Sequence, residues 1–427
     1  MLQPTQTTIL LLMDYFLFFI YLILFPVLVW YLDKKNIIHI DIRTATVAFM
    51  LKVSMACLYG YIFQEYYGGD DTWMYHHQSQ DETQFLKTDP LHFLHSLIDP
   101  TSYTRYMMTT WWQELEYASL IKLLAILNLF SGGSYYVNAV LFSMITFWGA
   151  YFYYSLFTRL YPNSKTLLML VFFFFIPMVF WTSGIRKDGL IMLFTGMFFL
   201  STYRFLESGS RKMLAAMLIA LFGVALNRNF VALSLIPPAT AWILSKKMNR
   251  HPLKTHIYVY TISLVIFFLS AVWGPVNIPG KFVQRQADFM ALKGGSYVAL
   301  DTLGTDPVSF IRILPQALNH VFIRPYPGEG KGVLSAFSAL ETWFVFLILL
   351  LWLLFPTSPR RVFLQNAAVW ALLFFSISNY LFVGYTIPFL GAIVRYRIVY
   401  ETILLAIAVT QVNWQRLLPA RLYKLLY

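Results

Sequence analysis

Long apolar stretches follow one another along this chain and are separated mostly by short polar connections. Runs of about 18 or more apolar residues are long enough for a helix to cross a bilayer, and they predict about eleven spans. The predicted spans cover residues 8–31, 44–65, 135–158, 166–184, 188–205, 213–226, 230–245, 256–274, 337–356, 362–386 and 390–412. The pattern predicts an all-α polytopic transmembrane helical bundle that forms a single membrane domain, residues 1–427.

Two longer polar segments interrupt this pattern, residues 67–134 and 275–336. Within the first, the stretches 90–97 and 111–130 are amphipathic and predict two juxtamembrane helices at the outer face. Lys122 and the other charges of the second stretch fall on one helical face, which is typical of an interfacial helix. We expect this helix not to cross the membrane.

The basic residues of the short connections then all fall on one side of the membrane, which the positive-inside rule makes cytoplasmic. These residues are Lys34, Lys35, Arg43, Arg159, Lys165, Arg204, Arg211, Lys212, Lys246, Lys247, Arg250, Lys254, Arg360, Arg361, Arg416, Arg421 and Lys424.

Composition supports the membrane assignment. The chain is 58% hydrophobic and 12% charged, and its mean hydropathy is +0.60, whereas soluble domains carry about 25% charged residues. The net charge of +12 reflects basic residues at helix ends, so we expect contacts with anionic membrane lipids and no nucleic acid. A single cysteine, Cys57, excludes an intrachain disulfide and a cysteine-based metal site. The first apolar stretch has no basic residues before it, which favours a retained helix over a cleaved signal peptide.

An acidic pair, Asp70 and Asp71, stands where the second predicted span meets water. Carboxylates are costly to place at a membrane boundary and often functional there. The pair predicts a general base, or a site for a divalent cation with His76 as a further ligand. Adjacent residues on a turn point apart, so we expect only one of the two to act. The sequence Gly-Gly-Asp-Asp is also ordinary turn or helix-cap chemistry, and this alternative stays open.

Arg186, Lys187 and Asp188 occupy a very tight connection between two apolar helices. This connection is predicted on the outer face, where basic residues oppose the inside bias. Asp188 is expected to cap the following helix. The freed N–H groups and the two basic side chains then predict a phosphate site, and the alternative is a turn with snorkelling side chains.

Three further arginines are candidates for the same cavity. Arg397 and Glu401 are four residues apart on the last span, so they either face the cavity or neutralise each other. Arg395 has no partner at that spacing, and such an arginine normally faces a polar cavity. Arg324 stands in a proline-framed loop and either lines the cavity or is solvated.

These motifs together resemble the GT-C superfamily of integral-membrane glycosyltransferases. The resemblance rests on Asp70 and Asp71 at the start of an outer loop, on two juxtamembrane helices after them, and on basic residues in later outer loops. It implies transfer of a sugar from a polyprenyl-phosphate-linked donor to a glycan, lipid or protein acceptor. It places the reaction at the outer face of a bacterial inner membrane.

The same resemblance assigns roles to individual residues. Asp70 or Asp71 would be the base or the ligand of a divalent cation. The donor phosphate would be held by Arg186, Lys187, Arg395, Arg397 and Arg324.

The chain departs from the superfamily in one respect, because its acidic loop follows the second span, whereas the superfamily usually places it after the first. A Wzy-like polysaccharide polymerase, a transporter of lipid-linked glycans and a structural subunit of an envelope complex are the alternatives.

Overall fold

The computed structural model describes residues 6–98, 111–273, 276–357, 363 and 365–426. Most of these residues are helical, and within them β-structure is limited to two isolated bridges. The helices are α1 (Gln6–Lys34), α2 (Ile42–Tyr61), α3 (Asp71–Thr88), α4 (Pro90–Ile98), α5 (Trp111–Ser131), α6 (Tyr135–Leu160), α7 (Lys165–Met169), α8 (Ile176–Ser183), α9 (Lys187–Ser208), α10 (Arg211–Asn227), α11 (Asn229–Lys247), α12 (Pro252–Trp273), α13 (Ile278–Met290), α14 (Pro307–Phe322), α15 (Val333–Leu354), α16 (Ala367–Thr386), α17 (Leu390–Gln411), α18 (Trp414–Leu417) and α19 (Ala420–Leu426). The all-α prediction is confirmed.

Eight helical segments of the described residues are long and apolar enough to cross a membrane. They are Leu12–Lys34, Ile42–Tyr66, Tyr135–Leu160, Pro162–Ser183, Lys187–Ser208, Pro252–Trp273, Val333–Leu354 and Ala367–Thr386. In two of these segments, Leu12–Lys34 and Pro252–Trp273, only 11% of an 18-residue apolar stretch is buried inside the protein. Such long exposed apolar surfaces are stable against lipid and not against water, so the protein is an integral membrane protein.

The other three predicted spans also form helices, but they are weaker candidates for crossing. Helix α10 has 17 residues, and α17 carries Arg395, Arg397 and Glu401. Helix α11 contains two prolines. Their membrane crossing stays a prediction. Arg360 and Arg361, which the sequence assigns to the basic face, lie outside the described residues.

The two polar segments contain more helix than the sequence pattern predicted. The first includes α3 in addition to the two expected helices, and the second includes α13 and α14. Side-chain caps explain the starts of these polar helices. Asp70 accepts a hydrogen bond from Thr72 N at 3.0 Å, and Asp306 accepts one from Ser309 N at 2.9 Å, with a proline in the first turn. These signals are local, and a search for long apolar runs overlooks them.

Helix α5 forms as predicted, but two of its charged residues are buried. Glu114 and Lys122 are buried, and Lys122 Nζ lies 3.1 Å from Glu82 of α3. Ile126 and Phe130 are exposed instead. Lys122 is thus neutralised by α3, and Glu116 lies 3.9 Å from Lys187 of α9. The interfacial position of α5 stays a prediction. Helix α5 is not among the eight candidate spans.

The chain divides into two compact units, and the first comprises Met1–Leu156, Phe172–Ser201 and Arg211–Phe230. Within it α3 packs on α5, and α2 packs on α8. A buried apolar cluster that includes Leu120, Tyr135, Phe142 and Ile185 lies at its core. This core joins the start of α6 to the connection that carries Arg186.

The second unit comprises Phe157–Val171, Thr202–Ser210 and Val231–Tyr427. Helix α17 packs against α15 and α16, and α14 packs against α16. A separate apolar cluster includes Phe310, Ile313, Ala317 and Tyr385. The bridge between Tyr297 and Phe389 joins the segment after α13 to the start of α17.

Candidate functional site

Arg186 is the centre of the polar cluster in the first unit. It lies between α8 and α9 and is 4% exposed. Its Nη1 donates to Asp70 Oδ2 at 2.9 Å and also to the Tyr59 hydroxyl, and its Nη2 donates to Asp71 Oδ2 at 2.5 Å. The two adjacent carboxylates therefore converge on one guanidinium. The expectation that they point apart is wrong, because a planar fork binds two oxygens at once.

Asp70 and Asp71 differ strongly in their surroundings. The Asp70 side chain is 13% exposed, and it caps α3 while also accepting from Tyr59 at 3.2 Å. The helix-cap alternative is thus confirmed for Asp70. The Asp71 side chain is 49% exposed and opens α3. Of the two carboxylates, Asp71 is therefore the more accessible from solvent.

The titration of the cluster follows from burial and charge. Burial raises the pKa of Asp70, while the Arg186 guanidinium and the Thr72 N–H act in the opposite direction. Burial acts to lower the pKa of Arg186, but the phenol and carboxylate oxygens around it outweigh burial and raise it above its ordinary value. Arg186 is thus a fixed positive charge.

Two hydrogen bonds fix the backbone on either side of Arg186. Thr72 Oγ1 is fully buried and donates to Ile185 O at 3.1 Å. Lys52 Nζ, buried inside α2, donates to Thr182 O at 3.0 Å in the last turn of α8. A cation at a helix C-terminus satisfies carbonyl groups that the helix leaves without partners. These contacts hold the α8–α9 connection on α2 and α3.

The two residues after Arg186 also pair with other elements of this unit. Lys187 Nζ donates to Glu116 O at 2.7 Å and lies 3.9 Å from the Glu116 carboxylate. Asp188 lies in the first turn of α9 and pairs with Arg228 at 2.5 Å. The prediction that Asp188 caps α9 is wrong, because the helix begins one residue earlier and the carboxylate turns to a buried arginine.

The charge balance of this cluster bears on the predicted phosphate site. Arg186, Lys187 and Arg228 contact Asp70, Asp71, Glu116 and Asp188. Three cations thus meet four carboxylates. A phosphate that binds Arg186 must displace a protein oxygen, and Asp71 is the more exposed of the two carboxylates bound to Arg186. Phosphate binding by Arg186 and Lys187 stays a prediction.

His76 lies on α3 but does not extend the acidic pair into a metal site. Its ring packs edge-to-face on Tyr135, and Gln80 Nε2 is 3.2 Å from His76 Nε2. Burial, with a smaller effect of His77, lowers the pKa of His76 from 6.5 to about 4. Among the described residues, no three His, Cys, Asp or Glu side chains group closely enough to hold a metal ion. The divalent-cation proposal for Asp70, Asp71 and His76 therefore gains no support.

The second unit contains the remaining predicted residues. Arg397 is fully buried and donates to Glu401 at 2.8 Å, to Val321 O and Arg324 O at 2.8 Å each, and to Thr342. These contacts favour mutual neutralisation of Arg397 and Glu401. Its role in binding phosphate stays a prediction.

Arg395 and Arg324 are more accessible than Arg397. The Arg395 guanidinium lies 4.8 Å from the ring centre of Tyr396. Arg324 pairs with Glu329 at 3.2 Å, and their side chains are 22% and 19% exposed. The structure thus assigns Arg324 a partner within its own loop. The phosphate-binding roles of Arg395 and Arg324 stay predictions.

Sequence reasoning overlooked Tyr59, Lys52 and Thr72. Lys52 carried a usable signal, because a lysine inside an apolar span is costly unless it has partners. Tyr59 carried none, since an aromatic residue in an apolar run predicts only packing. Thr72 gained its role from contacts with Ile185 and Tyr135 that are distant in the sequence.

Comparison of the chain with protein-family models, curated proteins and solved structures finds no match. The resemblance to membrane glycosyltransferases therefore rests on the residues described above.

Proposed function

We propose that this protein is a membrane glycosyltransferase that moves a sugar from a polyprenyl-phosphate-linked donor to a hydroxyl acceptor. The observation that carries the proposal is the half-exposed Asp71 carboxylate, 2.5 Å from the buried Arg186 guanidinium. A half-exposed carboxylate beside a fixed cation suits a reaction that removes a proton and releases an anionic group. The donor faces the outer side of a bacterial inner membrane in this proposal.

In the proposed reaction, the donor phosphate approaches Arg186 and competes with Asp71 for the guanidinium. Asp71 is displaced and becomes available to the acceptor. The acceptor oxygen attacks the anomeric carbon while its proton passes to Asp71. The bond from that carbon to the phosphate oxygen breaks, and the electron pair leaves with polyprenyl phosphate. Arg186 stabilises the negative charge that grows on the leaving group.

Asp70 has a different part in this proposal. It binds Arg186, Tyr59 and Thr72 at the same time, so it holds the guanidinium in place. It is a positioning residue, whereas Asp71 is the base. The proposal therefore assigns the two adjacent carboxylates separable roles.

The test is release of polyprenyl phosphate by the full chain in lipid nanodiscs. A panel of polyprenyl-phosphate-linked hexoses, pentoses and amino sugars is supplied together with mono- and disaccharide acceptors. We expect release by the wild type and a loss of about 100-fold or more in Asp71→Asn, the range for a general base. Asp81→Asn, an exposed carboxylate on the same helix, is the matched control.

Two results would overturn the proposal. One is wild-type turnover by Asp71→Asn in a folded preparation. The other is transfer of the intact donor between leaflets with no cleavage of its sugar–phosphate bond, which is the behaviour of a transporter.

A further inference from the structure

A second candidate site lies in the second unit. A cavity of about 690 Å³ that is open to solvent is lined by residues at the ends of α6, α9, α11, α12 and α16. Its volume falls within the roughly 300–1,000 Å³ that is usual for sites of small molecules. The function proposed above uses none of the residues that line it.

The cavity combines a buried floor with a basic rim. Trp242 and Ala368 form part of the floor and are buried. Arg159, Lys246 and Arg250 stand at the rim and are exposed. Three cations thus border one open cavity whose lining includes buried apolar residues.

One carboxylate, Glu207, lines the same cavity. It interacts with the Tyr203 hydroxyl, and Arg159 lies close enough to act on that hydroxyl. The rim therefore keeps an excess of positive charge. Among the described residues, neither Lys246 nor Arg250 forms an ion pair, so both are available to a ligand.

The loop that carries Arg250 is held in shape by two hydrogen bonds. Arg250 N donates to Ser245 O at 3.0 Å, and Ser245 Oγ donates back to Arg250 O at 2.9 Å. Asn249, between them, adopts a left-handed conformation with φ 48°, which asparagine tolerates better than most residues. The backbone at Arg250 is thus fixed by a closed turn.

Backbone groups add to the same preference for anions. Helices α12 and α16 both begin at the cavity, where Pro252 and Ala367 line it. The N-terminal ends of helices carry partial positive charge and favour negative ligands. Asn366 caps α16 and lines the cavity as well.

We propose that this cavity binds a phosphate ester, either an anionic lipid headgroup or a soluble phosphate ester. The positive-inside rule alone explains basic residues scattered over the cytoplasmic face. It does not explain why basic residues from two separate connections border one cavity with a buried tryptophan. The charge pattern predicts that the cavity opens on the cytoplasmic face.

The test measures binding to the full chain in nanodiscs of neutral phosphatidylcholine. One arm titrates dioctanoyl phosphatidylglycerol, and the other titrates ADP, with native mass spectrometry reporting the number bound. We expect one equivalent of at least one probe. Binding to the first probe alone assigns a lipid headgroup, and binding to the second alone assigns a soluble ligand.

Paired variants decide whether the cavity is the site. Lys246→Gln combined with Arg250→Gln is expected to weaken binding by about tenfold or more, because charge-assisted hydrogen bonds are lost. Lys247→Gln is the matched control, since Lys247 is an exposed neighbour that does not line the cavity. It is expected to change affinity by less than about twofold, as a screened surface charge does. Failure of both probes to bind, or an equal loss in Lys247→Gln, would overturn the proposal.

Discussion

Neutralising Asp70 should destabilise the protein far more than neutralising Asp71, although the two residues are adjacent and bind the same arginine. Asp70→Asn keeps a good helix cap, because asparagine and aspartate cap helices about equally well. The substitution therefore removes mainly the charge that faces Arg186. The same change at Asp71 removes an equal charge from beside the same guanidinium, so each variant is a control for the other.

The expected magnitudes follow from exposure. The Asp70 side chain is 13% exposed and its partner 5%, so the pair is buried. Breaking a buried pair costs about 3–5 kcal/mol, and the value here should lie near 3 kcal/mol because Asp71 still faces Arg186. The Asp71 side chain is 49% exposed, and water screens the pair, which lowers its contribution to about 0.2–1 kcal/mol.

The assay is the free energy of unfolding in bicelles, measured by steric trapping for the wild type and both variants. Double-mutant cycles with Arg186→Gln then give the coupling of each carboxylate to the guanidinium. We expect the Asp70 coupling to exceed the Asp71 coupling severalfold. Equal couplings, or a cost of Asp70→Asn below about 0.5 kcal/mol, would show that Asp70 does not hold Arg186 in place.

Three further predictions concern other parts of the first unit. Because the folded pKa of His76 is lowered from 6.5 to about 4, the unfolded chain binds the proton first on acidification. Stability should therefore fall as the pH drops from 6.5 to 4, by up to about 1.4 kcal/mol per pH unit, and this slope should flatten in His76→Phe and not in His77→Gln. Lys52→Met should lower the free energy of unfolding, measured by steric trapping, by about 1–3 kcal/mol, because Thr182 O in the last turn of α8 loses its buried donor. A more stable variant would show that Lys52 does not stabilise the end of α8. Gly149→Ala would place a Cβ 2.6 Å from Leu193 N, where α6 meets α9. We expect overpacking to lower the free energy of unfolding by about 1–3 kcal/mol, measured by steric trapping. A neutral result would show that the two helices separate easily.

Much of the helical architecture was predictable from the sequence. A membrane-spanning segment must be a long apolar helix, because lipid satisfies no backbone polar group. Eight predicted spans therefore match helices that are long and apolar enough to cross a membrane. Helices α3, α13 and α14 were not predicted, because their stability depends on caps and on tertiary packing. The burial of Lys122 on α5 was not predictable either, because its partner Glu82 lies 40 residues earlier in the chain.

The candidate site divides in the same way. The sequence by itself determined that Asp70, Asp71 and Arg186 are unusual, because charges at the ends of apolar helices are costly. It also indicated the pairing of Arg397 with Glu401, since a spacing of four residues brings side chains together on a helix. Only the tertiary structure decided that Arg186 joins both carboxylates, because 116 residues separate it from Asp70. It also decided which carboxylate is exposed, since the exposure of each side chain depends on how α2, α3 and the α8–α9 connection pack.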